Sequence, residues 1–581
     1  MKRLTLILFF YSHYLSAQTF TVVGDRIELP YNRSTSSSVV YEQEDFNSKT
    51  NLRDVLQDIS GLSLVENGPY GGTSTYFLRG FGRGQVKVYL DGIEISDPTD
   101  IDRGLQLQHF PLTGIKRIEV IKGAQGALYG ADASGGVILL TSDDSAKSKM
   151  HAGIASNETW TGGFYTQAKQ GDWAIKGSGD LVSSDGISAY NESRVSGKAE
   201  NDFYLRRDLN LALINNKYQT GLRVKVVSAK QDIDSSLSGD IVNNDLSRYD
   251  HRIYSAFSEQ KSDSGQLKSK VTVARSEIKR TVQTNNFEGH VDQVHLELTW
   301  LASELSATTL FSDYSKDFSS TSSEFKNKEQ ENMALGVSHF LSLGRFFSDQ
   351  SLRIDKAQAY ATRLSSKLGL GFNLNENVTL KSQLASGFKA PTLYQRFSSF
   401  GGSENLKATT TESAQLGLAY TKEKIQAEIM SFINRSDNLI DYNQASSQYF
   451  NLGKTKTYGV ELSGKISFDK MKFQSSMTWM KARNELTGVD LERRPRWFST
   501  NGLGYSVRDD LELRVSHQAV SKRYDQGKLP YFDTYNLGAT YTVQEKFIDL
   551  DILNIFDRDY ENVRFYGTLG RNYKLQFRWS L

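Results

Sequence analysis

The chain ends in Tyr573-Lys574-Leu575-Gln576-Phe577-Arg578-Trp579-Ser580-Leu581. Apolar or aromatic side chains alternate with polar ones over this whole stretch, which is the two-residue period of a β-strand with one apolar and one polar face. In lipid, every backbone polar group of such a strand has to be paired, and a closed barrel pairs them all. We therefore expect the last strand to close a barrel by pairing with the first.

The same alternation recurs over residues 144–581. In 460–468 the apolar residues fall on one face and the polar ones on the other, and 548–552 repeats the pattern. At roughly 20 residues per strand and connection, the region predicts about 22 antiparallel strands. A barrel of that size has a lumen wide enough to need a plug.

Composition favours a membrane-spanning barrel over a bundle of transmembrane helices. Aromatic residues make up 11 % of the chain, prolines number only 7, and the mean hydropathy is −0.47. After the N-terminal segment, no apolar run reaches the ~20 residues that a membrane helix needs. Barrel strands keep the mean hydropathy low because every second residue faces the lumen. A soluble, tyrosine-rich all-β protein such as a propeller or a solenoid has a similar composition, so composition leaves that alternative open.

Charge and residue types exclude several functions. The chain has 69 basic and 67 acidic residues and a net charge of +2, which does not provide the single-sign field that nucleic-acid binding uses. The absence of cysteine excludes disulfides, thiolate metal sites and cysteine nucleophiles. No Gly-x-Ser-x-Gly elbow is present, and no motif ties a histidine or a carboxylate pair to a nucleophile. We therefore expect no enzyme, including a secreted β-rich hydrolase.

The N-terminus has the order of a secretory signal peptide. Lys2 and Arg3 precede an apolar run over 4–15, which ends in Ser16-Ala17 before Gln18. The run is too short for a membrane anchor, which is the alternative interpretation. We expect a signal peptide over 1–17 and a mature chain that begins near Gln18.

Residues 31–143 follow a different pattern, which predicts a small α+β domain. The apolar residues of 52–59 recur at helical spacing and Gly61 follows them, which predicts one amphipathic helix. Apolar runs at 86–90, before an Asp-Gly turn, and at 118–121 predict two strands.

Motifs of fixed order and spacing occupy these two regions. They are Leu52-Arg53-Asp54-Val55-Leu56, Leu78-Arg79-Gly80-Phe81, Val88-Tyr89-Leu90-Asp91-Gly92, Ile118-Glu119-Val120-Ile121-Lys122-Gly123, Leu128-Tyr129-Gly130, Ser386-Gly387-Phe388-Lys389-Ala390-Pro391 and Asn554-Ile555-Phe556-Asp557. The set resembles the TonB-dependent outer-membrane receptors. The resemblance implies an all-β fold: a 22-stranded antiparallel transmembrane β-barrel occluded by a small N-terminal α+β plug. Arg79 and Arg117 are available to pair with carboxylates of the inner barrel wall.

The resemblance also implies partners and a location. Residues 18–30 hold a TonB box and linker, and the box is Thr19-Phe20-Thr21-Val22-Val23-Gly24. TonB, energised by ExbB and ExbD, would pull this segment through a strand-addition contact. We expect a monomer in the bacterial outer membrane, surrounded by lipid and lipopolysaccharide, with no covalent cofactor. A passive porin or adhesin barrel is a distant alternative, and it would not need a TonB box.

The implied function is active transport of a scarce nutrient. Within the family the chain most resembles the cobalamin (vitamin B12) receptors, through its short barrel, the plug segment 66–73 and the barrel segments 438–442 and 449–461. The same barrel pattern occurs in siderophore receptors, so a ferric siderophore is the alternative ligand. Haem is disfavoured, because haem receptors of the family place a histidine between two motifs where this chain has none.

The cobalamin-receptor resemblance carries over to individual residues. The positions that match ligand contacts are Thr73, Thr75, Gly82, Asp100, Ile101 and Arg493. Gly82 and Asp100 depart from the pattern in side-chain type, which puts those contacts in doubt. A calcium site in the extracellular loops is implied at Asp185, Glu200, Asp202, Asp234 and Asp245. Carboxylates suit Ca²⁺, which takes about six to eight oxygen ligands, although Glu200 departs from the expected aspartate.

Overall fold

The protein is described from a computed structural model, which covers residues 21–22, 26, 29–30, 33–191, 200–233, 245–358, 360–443 and 446–581. The predicted signal peptide lies outside these residues, as do Thr19, Phe20, Val23 and Gly24 of the predicted TonB box. In the part of the chain described, no helix has both the length and the apolarity needed to span a membrane.

Twenty-two antiparallel strands form a closed barrel. The last strand pairs with the first, and Phe577 lies opposite Ala152, so the predicted closure is confirmed. The barrel strands are Lys149–Ala155, Thr159–Gln170, Trp173–Ser184, Tyr204–Asn215, Thr220–Ile233, Asp245–Lys261, Leu267–Val282, Asn285–Ser303, Ser306–Thr321, Lys328–Leu343, Phe346–Ala357, Arg363–Asn373, Val378–Lys389, Thr409–Lys422, Ile425–Asp437, Lys454–Ser467, Met471–Asn484, Trp497–Arg508, Leu511–Val520, Phe532–Val543, Lys546–Leu553 and Asn572–Ser580.

Alternation along the barrel strands separates lipid-facing side chains from lumen-facing ones. Val460 and Leu462 are 38 % and 51 % exposed, whereas Glu461 between them is 1 % exposed. In the last strand Phe577 is exposed and Gln576 is buried. Polar residues therefore face inward along these strands, where the plug can meet them.

The two rims of the barrel differ in the length of their connections. One rim has short turns such as 171–172, 423–424 and 544–545, and the other has longer segments such as 185–203 and 390–408. Bacterial outer-membrane barrels have short periplasmic turns and longer extracellular loops. The rim with the longer segments is therefore the extracellular one, and it is called the outer rim below. It also contains the helix Leu393–Phe397 and the hairpins Ile440–Asn443 with Gln448–Asn451 and Arg523–Tyr524 with Lys528–Leu529.

The plug, residues 33–143, contains two sheets. The larger has the order Ser37–Glu42, Ile115–Lys122, Gly136–Ser142, Val86–Leu90 and Ile93–Glu94. The smaller has the order Leu62–Glu66, Ser74–Leu78 and Phe81–Gly82. Short helices span Gln43–Phe46, Leu52–Leu56 and Gly126–Tyr129, with 3-10 turns at Arg83–Gln85 and Leu107–His109. Before the plug, Thr21–Val22 pairs with Leu29–Pro30.

The predicted amphipathic helix is confirmed, but it is short and ends at Leu56. Its apolar residues are fully buried in the plug core, and Asn51 and Asp54 form a capping box at its start. The chain then turns toward the barrel wall, where Gly61 has a φ of +83°. A Cβ at Gly61 would lie 2.1 Å from Glu461 Oε1 of the barrel, so only glycine fits there.

Candidate functional site

A cluster of buried charges joins the plug to the inner barrel wall. Arg79 donates from Nε and Nη2 to the two carboxylate oxygens of Glu461, at 2.8 and 3.0 Å, and Lys122 Nζ donates to Glu461 Oε2 at 2.7 Å. Arg79 Nη1 donates to Gln415 Oε1 at 2.6 Å. The three charged side chains are at most 2 % exposed. Arg79 thus pairs with an inner-wall carboxylate as expected, and these four residues are called the lock below.

Arg117 was also predicted to be available to carboxylates of the barrel wall, and its described ion pairs are with carboxylates of the plug. Its Nη1 donates to Glu42 at 2.9 Å and its Nη2 donates to Glu119 at 3.0 Å, and both acceptors belong to the plug. Glu42 lies directly opposite Arg117 on the neighbouring plug strand. A carboxylate directly across the strand pair is thus one of the groups that compensate this guanidinium.

Further polar contacts fasten the plug to other sides of the lumen. Arg103 of the plug donates from Nε and Nη2 to Asp317 of the barrel, at 2.6 and 2.9 Å. Arg280 of the barrel donates to Oγ1 and O of Thr99, both at 3.0 Å. Together with the lock, these contacts hold the plug inside the barrel from several directions.

Arg26 anchors the segment that follows the predicted TonB box. Its Nη2 donates to Leu128 O at 2.7 Å and to Asp313 Oδ2 at 3.2 Å, and its Nη1 donates to Glu297 Oε2 at 3.4 Å. The guanidinium also lies 4.2 Å from the centre of the Phe311 ring. Asp313, Glu297 and Phe311 are barrel residues, so the linker is attached to the inner wall.

Four of the predicted ligand contacts belong to the plug: Thr73 and Ile101 lie on loops, whereas Thr75 and Gly82 lie on strands of the smaller plug sheet. Thr73 is exposed, and Thr75 and Gly82 are half-buried. Ile101 is 44 % exposed, and its carbonyl accepts from Thr392 Oγ1 of an outer-rim segment at 2.9 Å. Thr73 and Ile101 are thus accessible, and the role of all four residues as ligand contacts stays a prediction.

Asp100 and Arg493, the other two predicted contacts, are engaged by protein groups. Asp100 is buried, and its Oδ1 accepts from Arg83 Nη2 at 2.7 Å. Arg493 Nε donates to Asp525 Oδ1 at 2.8 Å, which joins two neighbouring outer-rim segments. For either charged group to bind a ligand directly, it would have to share its present ion-pair contact with the ligand or give that contact up.

A partly open cleft separates the plug strand Leu62–Glu66 from the barrel wall just inside the outer rim. It has about 70 Å³ of enclosed space and is open to solvent on one side. Val65 and Phe498 contribute apolar surface, and Arg523 and Tyr560 contribute polar groups. Sequence reasoning missed Arg523 and Tyr560, because the cleft is assembled from segments far apart in the chain and no motif marks them. We call this feature the plug–wall cleft.

His109 of the plug packs against two tyrosines of the barrel wall. Its Nδ1 lies 3.2 Å from the Tyr204 hydroxyl, and its ring centre lies 4.8 Å from that of Tyr249. Burial, together with the positive charges of Arg206 and Arg280, lowers the pKa of His109 to about 3. The ring is therefore neutral at physiological pH.

The predicted calcium ligands are only partly described. Asp185 is exposed, Glu200 is half-buried and Asp202 is buried near the outer rim. Asp234 lies outside the described residues, and so does the side chain of Asp245, which begins a barrel strand. Within the described ranges, no three histidine, aspartate or glutamate side chains are grouped so as to hold a metal ion. The calcium site stays a prediction.

Comparison with known proteins gives consistent matches over most of the chain. A family model described as "TonB dependent receptor-like, beta-barrel" matches residues 123–567, and one described as "TonB-dependent Receptor Plug Domain" matches residues 31–137. The siderophore receptor PirA from Acinetobacter baumannii is similar in structure, with a TM-score of 0.80, 17 % identity, and coverage of 94 % of this chain and 98 % of that one.

Two other solved structures have the same fold. A ferric enterobactin receptor mutant from Pseudomonas aeruginosa, PfeA in complex with enterobactin, has a TM-score of 0.80, 18 % identity, and coverage of 94 % and 99 %. The FrpB iron transporter from Neisseria meningitidis has a TM-score of 0.80, 14 % identity, and coverage of 95 % and 100 %. At such low identity the likeness establishes the fold and leaves the ligand open. With a barrel model that matches more than half of its length and a plug model that matches residues 31–137, this chain belongs to the TonB-dependent receptor family, the transport receptors of the bacterial outer membrane, and is not an enzyme.

Proposed function

We propose that this receptor binds a metal-bearing organic nutrient at its outer rim and imports it with energy delivered through TonB. One observation carries the proposal: the plug occupies the lumen of the barrel and is tied to the wall by buried ion pairs. Arg79 with Glu461 and Arg103 with Asp317 are two of them. A large solute passes only if these contacts are rearranged, which requires work that a passive porin does not perform.

Arg26 supports a route by which ligand binding is signalled to the periplasm. The linker next to the TonB box is attached to the inner wall through Asp313 and Glu297. A ligand that binds better to a state with this attachment broken shifts the population toward that state. TonB then binds the released box by strand addition and pulls on the plug.

Two cargoes are supported by different observations. A ferric siderophore is supported by the solved structures, two of which are named as a siderophore receptor and a ferric enterobactin receptor. Cobalamin is supported by the plug segment 66–73 and the barrel segments 438–442 and 449–461, which resemble cobalamin receptors. The structural matches favour the siderophore, so it is the first cargo to test, and cobalamin is the second.

Calorimetry on the purified full-length protein in detergent distinguishes the two cargoes. Ferric enterobactin and cyanocobalamin are titrated separately, each with calcium and with a chelator. Submicromolar binding of one probe and none of the other assigns the cargo class. If cyanocobalamin binds and chelation weakens its binding, the calcium site among the outer-rim carboxylates is supported as well. Binding that is insensitive to chelation would contradict the calcium site.

Deletion of residues 19–24 tests the energy-coupled mechanism. We expect the deletion to abolish uptake of the bound cargo into cells and to leave its affinity for the purified protein unchanged, because none of the predicted ligand contacts belongs to this segment. A variant with Thr5→Ala in the predicted signal peptide is a control for expression and export. Uptake that survives the deletion would support a passive barrel instead.

A further inference from the structure

Arg523 differs from the other buried arginines of the plug–barrel boundary in its hydrogen bonding. The side chain lies in an outer-rim segment, lines the plug–wall cleft, and belongs to a residue that is 6 % exposed. Its Nη2 donates to the carbonyl oxygens of Glu561 and Asn562. Among the described residues, its Nε and Nη1 have no hydrogen-bond partner. Two buried, charged donors are therefore unused.

Carboxylates compensate the comparable arginines. Arg79 is paired with Glu461, Arg206 with Asp180, and Arg353 with Asp355. Within the described ranges, Arg523 has no carboxylate within 4.0 Å, and its charge rests on the face of Phe532, 5.2 Å from the ring centre. Burial lowers the pKa of Arg523 to about 10, so the group is still charged at physiological pH.

Apolar side chains lie beside part of the cleft that Arg523 lines. Val65, Phe77 and Val563 form one apolar cluster beside the cleft. A second arginine, Arg494, lies over the Phe77 ring at 4.0 Å and, among the described residues, also makes no ion pair. The carboxylate that lines the cleft, Glu66, is held by Arg53 and does not neutralise Arg523. Asp525 and Glu561 also lie near Arg523, but in the described residues neither forms an ion pair with it. The cleft therefore has mixed polar and apolar walls beside two guanidinium groups that have no ion-pair partner in the described chain.

We propose that Arg523 binds an anionic oxygen group of the imported ligand, through its Nε and Nη1, when the ligand enters the plug–wall cleft. The inference rests on the proposed transport function and specifies a recognition residue for it. Carboxylate, phosphate and catecholate oxygens share the required chemistry, because each accepts charge-assisted hydrogen bonds from a guanidinium. A siderophore can supply carboxylate or catecholate oxygens, and cobalamin can supply a phosphate.

Calorimetry on Arg523→Gln tests the proposal with ferric enterobactin and cyanocobalamin as separate probes. For the probe that the unmodified protein binds, we expect affinity to fall by about tenfold or more, which corresponds to about 1.4 kcal/mol. Arg523→Lys retains the positive charge, so we expect it to lose less affinity for the probe. Arg508→Gln is the matched control, because Arg508 is exposed and pairs with Asp510 on the opposite rim. Thermal unfolding of each variant shows whether the barrel and plug remain folded.

A second measurement detects the anion site without the cargo. Crystals of the full-length protein are soaked in selenate, and anomalous scattering locates the bound anion. We expect selenate to bind next to the Arg523 guanidinium, and we expect no selenate at this position in Arg523→Gln. Selenate at this site without binding of either metal chelate would contradict the proposed cargoes and leave the anion site standing.

Other outcomes overturn the inference. If the folded Arg523→Gln protein binds its probe as tightly as the unmodified protein, Arg523 does not recognise the ligand, and selenate found there is an adventitious ion only. Ordered water on Nε and Nη1 in place of selenate, together with unchanged probe affinity, would show that solvent satisfies these donors. In both cases the transport function would remain supported by probe binding.

Discussion

Buried arginines occupy two regions of the plug–barrel boundary, and the regions differ in what compensates their charge. In the lock, Arg79 and Lys122 share the carboxylate of Glu461, and all three are almost fully enclosed. At the plug–wall cleft, Arg523 and Arg494 lie over aromatic rings and make no ion pair within the described residues. A paired buried charge fastens two parts of the protein, whereas an unpaired one next to a cleft remains available to a ligand.

Removal of the lock carboxylate should destabilise the plug more than any other change proposed here. Glu461→Gln leaves Arg79 and Lys122 buried without their anion, and breaking a buried pair in this way costs about 3–5 kcal/mol. We expect faster hydrogen exchange in the plug strand Ile115–Lys122, measured by mass spectrometry. Glu512→Gln is the control, because its partner Lys472 is exposed and such pairs contribute about 0–1 kcal/mol. Equal exchange in both variants would contradict a structural role for the lock.

Release of the linker from the barrel wall should have the next largest effect, which is on the mobility of the TonB box. Arg26→Gln removes hydrogen bonds to Asp313 and Glu297, and bonds to charged groups contribute about 1.5–3 kcal/mol. Since the chain has no cysteine, a single Thr21→Cys change allows a unique spin label within the predicted TonB box. We expect the mobile fraction of that label to rise about tenfold without ligand. The same label with Arg508→Gln should be unaffected, and an unchanged spectrum for Arg26→Gln would contradict the attachment.

His109 is a buried titratable group of the same plug–barrel boundary, but it is uncharged at physiological pH. Its folded-state pKa of about 3 lies below the unfolded value, so the unfolded state takes up a proton first as the pH falls. Stability is therefore lost below about pH 6.5, by roughly 2 kcal/mol at pH 5 relative to pH 7. Urea unfolding at the two pH values measures the difference, which His109→Gln should reduce and His290→Gln should leave in place. If all three proteins lose the same stability, His109 is not the responsible group.

Arg494→Gln should have the smallest effect on stability. Arg494 lies over Phe77 and donates to backbone carbonyls, and a cation–π contact of this kind contributes about 0.5–2 kcal/mol. Burial lowers the pKa of Arg494 to about 10, so its charge is disfavoured where it lies. We expect plug hydrogen exchange close to that of the unmodified protein. If Arg494→Gln accelerates plug hydrogen exchange as much as Glu461→Gln does, the distinction between the two regions is wrong.

Local patterns predicted the elements of the fold but not their limits. The alternation around Glu461 and in the last strand correctly separated lumen-facing from lipid-facing side chains, because strand periodicity depends only on neighbouring residues. The helix that begins at Leu52 was predicted, but its early end was not, since the turn toward the barrel decides where it stops. Two predicted ligand contacts, Asp100 and Arg493, have protein partners that no local pattern indicated.

A closed barrel of about 22 strands, its plug and its family were predictable from the sequence, because period, motif order and the amphipathic last strand are all properties of contiguous residues. The compensation of individual charges was not predictable, since it depends on which side chains the fold brings together. Arg79 and Glu461 are 382 positions apart, and Arg26 and Asp313 are 287 apart. Arg117 looked equivalent to Arg79 and pairs within the plug, whereas Arg523 has no carboxylate partner in the described chain. Pairing depends on distance in space, and the folding of the plug inside the barrel sets that distance.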